Sequence, residues 1–293
     1  MLDFGEIQKE FDWRLKGITS YRSMIKEYLQ CKVLEIIYRS SYRSRLIFIG
    51  GTRLRLLNGF RRFSDDLDFD LRGEYGTRDH MELMEYLAES LKRQNIRAEP
   101  DRDKKRGDTP PYTRYLNFPG IMEIMGIKDD PGRKFFIKID AEKHDYGDFS
   151  YEPETSVLNR FDVFIPLHCA PLSFILSTKM CAILERSKGR DFYDITELVK
   201  LTRANTDYIR NRLEFGKLKQ KYTGPESYTA SALAVLDHID WNDKTREIEK
   251  FLFDPLESDR VLWFREYATE ERIREWLRTD DNSRGDLHAD GLH

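Results

Sequence analysis

"FIGGTRLRLLNGFRRFSDDLDFDL", residues 48–71, joins a strand-like apolar run to a glycine pair, a short helical segment and an acidic strand of period two. Gly50 and Gly51 stop the run "RLIFI", Thr52 caps the turns that follow, and "DLDFDL" alternates carboxylate with apolar side chain. Successive strand residues point to opposite faces, so Asp66 and Asp68 share one face with their backbones roughly 7 Å apart. Such a pair suits Mg²⁺, which takes only one or two protein carboxylates and leaves its other positions to water and substrate phosphate. Gly50, Gly51 and Thr52 supply the complement. N–H groups at a helix start favour anions, glycine lets a phosphate approach the backbone, and Thr52 offers a hydroxyl.

Outward from this stretch, "RSMIKEYLQCKVLEIIYRS" (22–40) and "RDHMELMEYLAESLKRQ" (78–94) carry apolar residues at helical spacing. Both read as amphipathic helices. "RYLNF", "IMEIMGI" and "KFFIKIDAE" (134–142) read as strands. In the last, Phe135, Ile137 and Ile139 face the core, while Phe136, Lys138, Asp140 and Glu142 face the other way. A third carboxylate there would complete a two-metal site, with one ion activating a hydroxyl and the other steadying a leaving pyrophosphate. Asp140 is the better candidate; Glu142 lies nearer the strand end.

The 293 residues allow two domains of ordinary size, and 40% hydrophobic with 34% charged residues is the balance of a folded globular protein. A net charge of -3 argues against bulk electrostatic capture of nucleic acid, so any RNA contact must be focal. "YRSSYRSR" and "KKR" are the basic runs available, though such runs are usually solvated faces. Cys31, Cys169 and Cys181 show no metal or disulfide spacing, which favours a reducing cytoplasm. His80, His144, His168 and His238 are isolated and read as surface or packing residues. No apolar run is long enough to span a membrane, and the N-terminus lacks the form of a secretory signal.

"DRDKKRGDTPP" (101–111) reads as a basic loop. Pro166 and Pro171 in "RFDVFIPLHCAPLSF" mark a domain boundary near 165–171. Beyond it the pattern is helical, Trp241, Trp263 and Trp276 read as core, and "DDNSRGDLHADGLH" reads as a frayed tail. The expected division is 1–168, with an N-terminal helix, then a helical domain over 169–280, then a flexible tail over 281–293.

"DDLDFD" alone is most simply a solvated acidic edge strand. The ordered series of strand, GGT, helix, DxD strand and a later apolar–Asp–apolar strand outweighs that reading, because each part supplies what the next lacks. The run "GGTRLRLLNGFRRFSDDLDFDL" resembles the first motif of the DNA polymerase β-type nucleotidyltransferases, in particular the AbiEii/AbiGii-type toxins of abortive-infection and type IV toxin-antitoxin systems. "LSTKMCAILERSKGRDFYDITELV" (176–199) is similar to that family's second block, a helical Lys followed by an RDxxD helix start. The resemblance covers roughly residues 45–200 through separate motifs.

That resemblance implies an α+β polymerase β-like core with a small mixed or antiparallel sheet, followed by a helical C-terminal domain. It implies Asp66 and Asp68 as Mg²⁺ or Mn²⁺ ligands, Gly51 and Thr52 on the nucleotide's terminal phosphates, Lys179 on the triphosphate, and Asp191 in the essential second block. By spacing, Arg186 projects from the face of Lys179, and Arg190 and Asp191 follow the helix-ending Gly189. Asp191 reads equally as a catalytic group or as scaffold, and Arg190, Asp191 and Asp194 can simply cap and lock helices. Two departures stand out: Ile49 replaces a commonly basic residue, and Arg53 stands where a small residue is usual, so that a phosphate contact is lost or moved to Arg53. Arg62 and Ser64 fit the family's R-x-S run, which implies that they order the turn before Asp66, with Arg62 facing substrate as the alternative. The implied reaction moves a nucleoside monophosphate from an NTP to an acceptor hydroxyl, with Asp140 assisting deprotonation. The implied acceptor is RNA, with the tRNA 3′ end as target, and a separately encoded antitoxin as partner. An antibiotic-type small-molecule nucleotidyltransferase and a non-catalytic nucleotide-binding protein are the rival readings.

Overall fold

A computed structural model of the chain describes residues 1–101, 110–130 and 132–278. The basic stretch at 102–109 and the tail beyond 278 lie outside the described residues. The chain forms two compact units, the first from Met1–Asp145, Tyr151–Pro171 and Ile248–Ser258, the second from Tyr146–Ser150, Leu172–Glu247 and the residues after Ser258.

In the first unit the elements run α1 (Phe4–Gln8), α2 (Ile18–Tyr38), β1 (Leu46–Ile49), α3 (Gly50–Asn58), β2 (Asp66–Leu71), α4 (Thr77–Arg93), β3 (Glu99–Pro100), β4 (Tyr112–Asn117), α5 (Ile121–Ile124), β5 (Phe136–Glu142), β6 (Glu154–Arg160) and β7 (Val163–Cys169). The strands form one mixed sheet in the order β3-β4-β5-β2-β1-β7-β6. β2 pairs antiparallel with β1 and parallel with β5, so the sheet's centre brings together segments about 70 residues apart in sequence. Leu67, Phe69 and Leu71 face the core with Tyr28, Leu34, Leu83, Leu87, Ile137 and Ile139. Asp66, Asp68 and Asp70 therefore face the other way.

"IMEIMGI" is not a strand. Gly120 and Gly126, both with positive φ, bracket the short helix α5, and Ile121, Met122 and Met125 are buried at helical rather than alternate spacing. Nor is α2 one-sided. Glu27, Gln30 and Lys32 are buried beside its apolar residues because each has a partner. Glu27 receives Arg55 through two bonds of 2.9 and 3.1 Å and Arg160 at 2.9 Å, Gln30 donates to the Ser64 carbonyl, and Lys32 pairs with Asp162 at 2.8 Å. Lys26 pairs with Asp65 at 2.7 Å, which holds that carboxylate away from the neighbouring Asp66 face.

The stretch whose prolines mark the boundary near 165–171 also forms the strand β7, which follows β6 in a hairpin. Pro166 is tolerated within β7 because it pairs with Val157 of β6, while β7 meets β1 only near Cys169. The segment Ile248–Ser258 completes the unit: Phe63 donates its N–H to the Phe251 carbonyl at 2.7 Å, and Phe253 to that of Arg61 at 3.2 Å.

The second unit is helical: α6 (Leu172–Glu185), α7 (Gly189–Leu198), α8 (Thr206–Phe215), α9 (Pro225–Leu236), α10 (Trp241–Glu249, its last two residues grouped with the first unit), α11 (Asp259–Tyr267) and α12 (Glu270–Trp276). Its core includes Phe192, Trp241, Phe264 and Trp276 in a chain of ring contacts of 5.0 to 6.3 Å. Trp263 is the exception among the tryptophans expected inside, being 55% exposed. Among the described residues no helix is long and apolar enough to cross a membrane.

Candidate functional site

The first unit builds its acidic face from two parallel strands. Register sets Asp66 beside Lys138, Asp68 beside Asp140, and Asp70 beside Glu142. Asp140, not Glu142, therefore lies across from Asp68, at the roughly 5 Å spacing of neighbouring strands. β5 alternates as expected, with Ile137, Ile139 and Ala141 buried and Lys138, Asp140 and Glu142 partly open. Asp140 is held on both oxygens: Thr113, its neighbour on β4, donates to Oδ1 at 2.6 Å, and Lys138 pairs with Oδ2.

The glycine pair is explained by what fills the space beside it. Gly50 has φ +79°, a left-handed conformation, and a Cβ there would fall 2.3 Å from Asp68 Oδ2. A Cβ on Gly51 would meet Arg62 Nη2 at 2.5 Å and Ser64 Oγ at 3.0 Å. The two glycines thus let the start of α3 close onto the Asp68 carboxylate and the buried Arg62 guanidinium. Arg62 also donates to the Phe63 carbonyl at 3.0 Å, which tightens the turn entering β2.

Thr52 differs from expectation. It is fully buried, and its hydroxyl donates to the backbone carbonyl of Asp66, so it fastens α3 to the first residue of β2. Arg53 is also buried, against Asn58 and 3.8 Å from Glu154. Asp70 does not meet solvent. It is 2% exposed and accepts from the His144 N–H at 2.9 Å and the Tyr151 hydroxyl at 2.6 Å. Burial alone would raise its pKa, but His144, Tyr151 and Arg72 hold it below the ordinary carboxylate value.

The oxygen-only donors of Asp66 and Asp68 suit a hard divalent cation such as Mg²⁺ or Mn²⁺. Among the described residues no group of three His, Cys, Asp or Glu side chains is gathered to hold a metal by itself. A pair completed by phosphate oxygens is nonetheless a normal Mg²⁺ environment.

The helical unit carries the second cluster. Lys179 on α6 lies 3.0 Å from Asp191 Oδ1 and 2.9 Å from Asp194 Oδ2, both on α7 and both fully buried. Arg186 grips Asp191 through Nε and Nη2, each at 3.0 Å. Burial pushes the Asp191 carboxyl up, but the Lys179 ammonium and the Arg186 guanidinium outweigh it and hold the group well below the carboxylate range. Lys179 is nearly enclosed by this pairing, whereas the Arg186 side chain remains 45% exposed. Arg190, Lys188 and Arg186 crowd together so that Arg190, then burial and Arg186, draw the Lys188 ammonium below its ordinary value. Of the basic run at 38–45, Arg39 and Arg45 pair with Glu35 and Asp79.

Residues 32–279 match the family model described as "Nucleotidyl transferase AbiEii toxin, Type IV TA system". No curated protein matches the sequence. Among solved structures, the chain is similar to MenT4, a nucleotidyltransferase toxin from Mycobacterium tuberculosis, with 15% identity, a TM-score of 0.63, and 97% of this chain and 96% of that one covered. It is also similar to JHP933 from Helicobacter pylori, with 17% identity, a TM-score of 0.45, and coverage of 87% and 94%. At such identities the likeness to MenT4 is one of fold.

Proposed function

The chain belongs to the AbiEii family of nucleotidyltransferase toxins, and from that premise we propose that it transfers a nucleoside monophosphate from an NTP to a hydroxyl of RNA, with the tRNA 3′ end as acceptor. The acceptor oxygen forms a bond to the α-phosphorus, the α–β phosphoanhydride bond breaks, and pyrophosphate leaves. Asp66 and Asp68 hold Mg²⁺ or Mn²⁺, which when bound neutralises triphosphate charge and acidifies the acceptor hydroxyl. Asp140 takes the hydroxyl proton. Gly50 and Gly51 let the start of α3 lie close against the Asp68 carboxylate, which brings its N–H groups near the phosphates of a nucleotide held there, while Thr52 fixes that helix to β2. Within the helical unit, Lys179, Arg186 and Arg190 are the positive charges assigned to phosphate binding, with Asp191 and Asp194 as the scaffold that aims the first two. A separately encoded antitoxin restrains the activity.

The observation that most supports this reading is the β2–β5 register, which sets Asp140 across from Asp68 while Gly50 leaves room for the Asp68 carboxylate. The test is incorporation of each labelled NTP into total tRNA under Mg²⁺ or Mn²⁺, with Asp66→Ala and Asp68→Ala alongside. Label is expected on tRNA with the wild type and absent with both variants. Failure of every NTP to label RNA would overturn the RNA reading, and labelling that survives both substitutions would overturn the site.

A further inference from the structure

We propose that Phe136, on the open face of the sheet beside Tyr115, is the platform on which a base at the single-stranded 3′ end of the RNA acceptor stacks. The inference rests on the transfer to RNA proposed above and deepens it by giving the acceptor a place in the first unit.

β4 and β5 turn alternate side chains to that face. On β4, Tyr112, Arg114 and Leu116 are buried while Thr113, Tyr115 and Asn117 are partly open; on β5, Ile137, Ile139 and Ala141 are buried while Phe136, Lys138, Asp140 and Glu142 are open or partly so. Register sets Thr113 across from Asp140, Tyr115 across from Lys138, and Asn117 across from Phe136. Phe136 is the one member of this open set without a polar group, and it is 36% exposed. Its ring meets that of Tyr115 edge to face, with centroids 5.0 Å apart, and the Lys26 ammonium lies 5.7 Å from its centroid. The ring is thus held in place, yet it leaves apolar surface in water on an otherwise polar face. A stacked base covers such surface.

Strand order decides whose base it is. Across the sheet, β4-β5-β2-β1 runs from the aromatic pair, through Asp140 and then Asp66 and Asp68, to Gly50 at the end of β1. In phosphoryl transfer the attacking and leaving oxygens lie roughly in line. With pyrophosphate leaving on the side of the glycines, the acceptor hydroxyl comes in from the side of β5, where Asp140 takes its proton. Phe136 and Asp140 lie on that same strand, roughly 13 Å apart by strand rise, within reach of the last or next-to-last nucleotide of an RNA strand. Arg133 and Lys134, both exposed, precede the ring and supply charge for backbone phosphates, and Arg22 fixes their approach by donating to the Lys134 carbonyl at 2.7 Å. A ring with two cations beside it is a focal contact, the kind that a chain of net charge -3 requires.

The experiment locates the base directly. The full chain is irradiated with single-stranded RNAs that carry 5-iodouridine at the last or the next-to-last position, without NTP or metal, and the cross-links, which this base forms with stacked aromatic side chains, are mapped by mass spectrometry. A cross-link to Phe136 is expected from one of the two positions, retained at the new side chain in Phe136→Trp and lost in Phe136→Leu. In tRNA labelling, Phe136→Leu should raise KM for tRNA about tenfold with KM for the NTP unchanged, and Phe136→Trp should keep both near the wild-type values. Cross-links only at other residues, or none, overturn the proposal on the wild type alone, whether or not Phe136→Leu folds. A rise confined to KM for the NTP gives the ring to the nucleotide and overturns it as well. A Phe136 cross-link without labelling of RNA by any NTP keeps the base site and removes the transfer, whereas labelling without that cross-link removes only the role of Phe136.

Discussion

His80 is buried on α4 with Nδ1 2.9 Å from the Tyr75 hydroxyl, and burial pushes its pKa down to about 4 from 6.5. The unfolded chain takes up a proton near pH 6.5 that the folded chain refuses until about pH 4, so folding loses stability as pH falls through that window. The loss from this one group amounts to about 3 kcal/mol. His80→Gln keeps a hydrogen-bonding partner for Tyr75 and removes the titration, so urea unfolding between pH 4 and 6.5 should show a shallower decline than the wild type. Equal slopes would mean that His80 is already protonated in the fold. At this same scale the sequence was legible for Asp66, Asp68 and Asp140, because strand alternation assigns faces without any long-range information. It was not legible for Asp70, whose parity matches Asp68 but whose surroundings come from His144 and Tyr151, more than 70 residues away.

The paired helices α6 and α7 are held by a buried charge cluster as well as by apolar packing. Asp191 receives both Lys179 and Arg186, and Asp194 shares the lysine. Removing one member of such a cluster leaves a buried charge uncompensated, which costs about 3 kcal/mol or more. Asp191→Asn should therefore lower the thermal unfolding midpoint, whereas Asp207→Asn, on the exposed start of α8, should not. An unchanged midpoint for Asp191→Asn would favour a purely catalytic role. Because the folded pKa of Asp191 is depressed, its contribution is present above the ordinary carboxylate value and is lost as pH falls below it. The sequence placed Lys179 and Arg186 on one helical face, but that spacing could not reveal that Lys179 is nearly enclosed while Arg186 stays half-exposed. Element type was likewise readable where periodicity ran long, as in α4, and failed in "IMEIMGI", where seven apolar-rich residues fit either period and flanking glycines decided for a helix.

For the molecule as a whole, the first unit depends on chain that follows most of the helical unit. Phe253 packs on Phe63 with ring centroids 4.6 Å apart, and the Arg55 guanidinium lies 4.4 Å from the Phe253 ring. Phe253→Ala should cost about 2 kcal/mol in urea unfolding of the full chain. Leu256→Ala, in the same segment but 81% exposed, should cost almost nothing. Equal effects would show that the segment's return contributes no specific packing. By itself the sequence determined the strand–glycine–helix–strand unit, the family to which it points and the shared face of Asp66 and Asp68, because these follow from backbone geometry over a few residues. Only the tertiary structure decided that Asp140 stands beside Asp68 with Lys138 as its counter-ion, that Thr52 and Arg53 are turned to structural partners, and that residues 248–258 complete the first unit. Those outcomes depend on register and on which distant surfaces meet, and local periodicity carries no information about either.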